Sequence, residues 1–161
     1  MKPLFLILIV STLLSSSCTV DNLYRTINDR WELQLPKAVT IVDGENNSHQ
    51  KLTSSTTDLD YIFQYAPFDQ AKLDELTIWT YLAPRDITHV VKQLYAYFYP
   101  QDGTILTPAE KLQKVEEKLG FAIDEQLRYY KKTDPGNPTG GRIILLYDSD
   151  RIQIHAFHFV E

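Results

Sequence analysis

The side chains able to carry chemistry are few and scattered. The histidines are His49, His89, His155 and His158. His155 and His158 are three apart, a spacing that brings two imidazoles to one metal ion on a helix. Residues 152–160 read as a strand instead, where that spacing sends the two rings to opposite faces. His155 then lies with Phe157 and Phe159, and His158 with Ile154 and Ala156; one of the two is expected to be a hydrogen-bonded histidine near the core. Oxygen ligands gather at Asp43, Glu45 and Asn46, and again at Asp148 and Asp150. Neither group has the spacing of a calcium loop with its distal glutamate, and the turn preferences of Asp, Asn and Gly account for both. No metal site is expected.

Asp58 and Asp60 share one face of a strand, about 7 Å apart by strand rise. That is inside the roughly 5 to 9.5 Å at which paired carboxylates work on glycosides. The two also form the polar face of a half-exposed strand, so solvated carboxylates are the stronger expectation. Ser48, Ser54, Ser55 and Ser149 stand outside any nucleophile elbow. The glycines between Gly136 and Gly141 lack the Lys-Ser/Thr ending of a phosphate loop. No catalytic residue and no cofactor is assigned. The aromatics are the remaining resource: Trp79, Tyr81, Tyr95, Tyr99, Tyr129 and Tyr130 form the candidate binding surface, since rigid, half-polar rings are favoured at such surfaces.

The elements that must position these residues follow from periodicity. Leu23, Ile27 and Trp31, spaced by four, predict an amphipathic helix starting near Asp21 and a unit closed by Pro36. Residues 38–42 (AVTIV) read as a short strand, and a polar loop spans 43–57. Residues 58–65 alternate: Leu59, Tyr61, Phe63 and Tyr65 face one way, Asp58, Asp60, Ile62 and Gln64 the other. A helical turn or two over 68–76 precedes a strand-like piece at 77–82. Asp86 is expected to cap a helix striped by Ile87, Val90, Val91, Leu94, Tyr97 and Phe98. Thr107-Pro108-Ala109-Glu110 predicts a capping box and Gly120 the matching stop. The last forty residues read as strands at 126–132, 142–147 and 152–160, with a Pro/Gly-rich connection at 135–141. The fold class is α+β, an antiparallel sheet with a C-terminal hairpin or meander and three to four packed helices.

The chain of 161 residues suits a single domain, 43% hydrophobic and 23% charged. Its formal net charge of −5 and the absence of a basic run argue against nucleic acid, which demands clustered Lys and Arg. On net charge, basic ligands are mildly favoured.

The first residues carry a destination. Met-Lys-Pro is followed by an apolar run over 4–10 and then by small residues, the three parts of a secretory signal. The run is too short for a membrane-spanning helix, which needs about 20 residues. Leu14-Ser15-Ser16-Ser17-Cys18 resembles the bacterial lipobox, and Cys18 is the only cysteine. The resemblance implies removal of residues 1–17, a diacylglycerol on the Cys18 thiol, and an extracytoplasmic domain over 18–161 held at the cell membrane or outer membrane. An ordinary secretory peptide cut nearby is the alternative.

The functional expectation is a non-enzymatic accessory module of the cell envelope that binds a protein or peptide. A small wall-polymer enzyme working through carboxylates is one competitor. A protective inhibitor or immunity-type protein is the other.

Overall fold

Residues 143–148 and 154–159 are buried without interruption. A strand buried at every position must be covered on both faces, and this requirement organises the molecule. The computed structural model describes residues 24–43, 59–100, 102–134 and 141–159. The elements are α1 (24–31), β1 (Thr40–Asp43), β2 (Leu59–Gln64), a 3₁₀ turn (Pro67–Asp69), α2 (Gln70–Asp74), β3 (Thr80–Tyr81), α3 (Pro84–Phe98), α4 (Pro108–Leu119), β4 (Arg128–Thr133), β5 (Arg142–Asp148) and β6 (Gln153–Phe159).

The six strands make one sheet in the order β1-β2-β6-β5-β4-β3, every pairing antiparallel. The α+β expectation holds, with β4-β5-β6 as a C-terminal meander. Tyr61, Phe63, Ile143, Leu145, Tyr147, Ile154 and Ala156 turn to one face, where Ile27 and Trp31 of α1 and Leu73 of α2 pack on them. Ile144, Leu146, Phe157 and Phe159 turn to the other, under Val90, Val91 and Leu94 of α3 and Val115 and Leu119 of α4. Among the described residues no helix is long and apolar enough to cross a membrane.

Local differences from the sequence reading have identifiable causes. Helix α1 ends at Glu32, which adopts a positive φ of 51°, well before Pro36. Asn28 closes that end: its Oδ1 accepts from Leu35 N at 3.1 Å. The cap of α3 is not Asp86. Pro84 takes the first helical position with Ala83 before it, and Asp86 falls in the first turn, an arrangement that suits proline because its missing N–H is an orphan there anyway. The strand-like piece at 77–82 contracts to two residues. In contrast, α4 follows expectation closely: Glu110 N donates to Thr107 Oγ1, Thr107 N donates to Glu110 Oε2, and Gly120 sits at φ 78°.

Gly141 opens β5 at φ 124°, and a Cβ there would press into the Phe159 carbonyl oxygen and lie 3.1 Å from His158 Nε2. Gly141→Ala should therefore cost more than about 1 kcal/mol, beyond the usual glycine-to-alanine range. Urea unfolding of the variant against the parent tests this, and an unchanged midpoint would contradict the packing described.

Candidate functional site

The residues singled out by type are dispersed. Cys18, His49, Asp58, Glu45 and Asn46 lie outside the described residues, as does the side chain of Asp43. His155 and His158 occupy opposite faces of β6, as strand alternation requires: His155 meets Phe121 edge-on at 5.0 Å, and His158 meets Trp31 at 5.7 Å. Both are buried, at 6% and 3% exposure, rather than one of them. Nε2 of His155 finds no hydrogen-bond partner among the described residues. Burial, only partly offset by Asp148, lowers its pKa to about 4. Asp148 and Asp150 form a turn: Asp148 Oδ1 accepts from Asp150 N at 3.1 Å and Arg151 N at 3.2 Å. Among the described residues no three His, Cys, Asp or Glu side chains converge as metal ligands.

Asp60 corrects the expectation of a solvated carboxylate. It is 7% exposed, beneath α3, and accepts a 2.5 Å hydrogen bond from the Tyr97 hydroxyl. The sequence pattern implied one wet face of β2; the helical layer formed by α3 and α4 makes that face interior.

The candidate aromatics divide between the two faces. Trp79 and Tyr130 pack on the α1 side, where Trp79 stacks on Tyr147 at 5.5 Å and donates from Nε1 to Leu73 O. Tyr81, on the short edge strand β3, is exposed. Tyr95, Tyr99 and Tyr129 pack on the α3–α4 side, so adjacent Tyr129 and Tyr130 face apart. Tyr95 and Tyr99 hold α4 in place. The Tyr95 hydroxyl donates to Asp102 at 2.5 Å, and Lys114 reaches the same carboxylate at 3.3 Å. That hydrogen bond pushes the Tyr95 phenol up to about 12. The bonds from Thr104 and Tyr95 hold the Asp102 carboxyl well below its usual range.

Two ring contacts set the direction of the helical layer. Lys111 lies 5.3 Å over Tyr95 and Lys114 lies 5.1 Å over Tyr99, so α3 and α4 are paired in the same sense. A groove of about 270 Å³ lies between Ile87, Thr88, Val91 and Lys92 of α3, Leu106, and Pro108, Ala109, Lys111 and Leu112 of α4. The residue before Leu106, Ile105, is fully exposed, at 100%. The lining is aliphatic apart from Thr88 and the two lysines. Among the described residues neither lysine makes an ion pair.

Positive charge continues from Lys92 across α3 to the sheet. Lys131 Nζ and His89 Nε2 are 3.4 Å apart, and the Gln93 amide, turned so that its oxygen faces Arg142, bridges His89 Nε2 at 3.3 Å and Arg142 Nε at 2.8 Å. Partial burial, with Lys131 and Arg142 alongside, moves the His89 imidazole down. The sequence reading missed this site. Its signal was faint: Lys92 follows the apolar stripe of α3 by one position, while Lys111 belongs to a different helix.

Comparison with protein-family models, curated proteins and solved structures finds no match to the chain.

His155 gives the buried sheet a pH dependence of known sign. Its folded pKa lies below the ordinary histidine value of 6.5, so between about pH 4 and 6.5 the unfolded chain takes up the proton more readily, and stability falls as pH is lowered through that window. The loss should approach the order of 3 kcal/mol at its acid end. His155→Leu should flatten the difference between the Tm values at pH 6.5 and pH 4.5, and parallel curves for variant and parent would rule the account out.

Proposed function

We propose that the chain is a non-enzymatic binding module of the bacterial cell envelope, tethered by a lipid on Cys18 with its domain outside the cytoplasm. Its partner, an envelope component presenting an apolar element and negative charge, docks in the α3–α4 groove. One observation carries the binding reading: an apolar concavity whose only ionic groups, Lys92 and Lys111, make no ion pair among the described residues. Ligand sites are typically concave and mostly apolar, with a few charged or polar groups that fix orientation. Exposed Ile105 beside it extends the apolar surface, as at interaction sites. The tether rests on the Leu14–Cys18 resemblance; two or more acyl chains are what stable anchoring requires.

Asp60 does not favour the enzymatic alternative. A carboxylate buried under α3 and held by Tyr97 serves packing, whereas a general acid or base needs hydrogen-bond reach to its substrate.

Two measurements test the proposal separately. Cys18→Ala should move the chain from the membrane to the soluble fraction of a bacterial host; retention in the membrane removes the lipid anchor from the reading. A photo-crosslinking amino acid at Ile105 should give discrete adducts in living cells, and Thr88→Trp, which fills the groove from an exposed position, should abolish them at unchanged Tm. Adducts indifferent to that substitution would place the partner elsewhere.

A further inference from the structure

Resting on the binding reading above, we infer that the groove's ligand is a single-chain anionic amphiphile, one acyl chain with a carboxylate or phosphate head, taken up as a monomer from water. The groove is concave and small, about 270 Å³. A stable protein partner needs roughly 800 Å² on each side, and a cleft of this size seats one chain more readily than it anchors such an interface. Ile87, Val91, Leu106 and Leu112 offer the chain an aliphatic wall. The hydrophobic gain is about 0.8 kcal/mol for each methylene buried.

The head is chosen by charge. Lys92 and Lys111 stand on opposite helices, so an anion between them meets an ammonium from either side. Lys111 is also fixed over the Tyr95 ring at 5.3 Å, which restricts a side chain that otherwise has many rotamers. Beyond Lys92, the contact between Lys131 and His89 extends the positive field along the α3 surface. In a chain of net charge −5, a locally cationic groove edge favours a bound anion. A neutral or cationic head gains nothing there. Asp86 and Glu110 stand near the same helix starts, but Glu110 is engaged by the backbone and hydroxyl of Thr107 and Asp86 lies 4.0 Å from Arg85.

The test uses the full chain with its anchor, in nanodiscs of neutral phosphatidylcholine, and a diazirine-bearing palmitic acid as probe. Irradiation should label residues of α3 and α4 that line the groove. Palmitate and lysophosphatidic acid should compete, separating carboxylate from phosphate heads by their relative potency, and methyl palmitate should not. Lys92→Glu with Lys111→Glu should weaken labelling about tenfold, the equivalent of roughly 1.4 kcal/mol, and Thr88→Trp should remove it. Labelling that methyl palmitate displaces equally, or that falls outside the groove, overturns the inference. If the groove takes no label while Thr88→Trp still abolishes the adducts formed from position 105, the ligand is a protein; the binding reading then stands and the amphiphile falls. Loss of neither signal overturns both.

Discussion

Burial of the β5–β6 hairpin on both faces is the constraint from which the other features follow. A sheet whose central pair has no solvated side needs a layer on each face, and the chain supplies α1 and α2 on one and α3 with α4 on the other. Asp60, Asp148, His155 and His158 are then committed to the interior. Asp60 finds the Tyr97 hydroxyl, Asp148 folds back onto its own turn, and the two histidines lie against aromatic rings. Fully buried polar groups without partners are costly, and His155, kept neutral by its surroundings, is how this sheet accommodates one.

Much of this architecture could be read from the chain. The alternation from Leu59 to Tyr65, the capping box at Thr107 and the hairpin around Asp148 are local signals, and they appeared where expected. What could not be read was the second cover. A polar residue between apolar neighbours, such as Asp60, looks the same whether its face meets water or a helix, because periodicity reports alternation and says nothing about what lies above it. The candidate aromatics divide between the two faces for a related reason. Tyr129 and Tyr130 adjoin in sequence, yet a strand separates neighbours onto opposite faces.

Electrostatics teaches the same lesson. The total charge favoured basic ligands, and the groove points the other way. Net charge is a sum over the surface, whereas recognition depends on which few groups converge. Here the convergence depends on α3 and α4 running in one sense, a relation reported by the Lys111–Tyr95 and Lys114–Tyr99 ring contacts and fastened by the Tyr95–Asp102–Lys114 contacts.

Helix α1 and the groove lie on opposite sides of the sheet, and the lipid proposed on Cys18 would give the molecule a top and a bottom. Tyr24, the first described residue, follows that cysteine by six positions, which reach no further than about 20 Å even fully extended. Three layers, each on the order of 10 Å thick, separate the outer surface of α1 from that of α3 and α4. Under the proposed anchor, a leash of this length would favour the α1 side facing the bilayer. The groove would then look outward, across the aqueous space toward whatever approaches, and its traffic would pass without entering the leaflet that holds the protein.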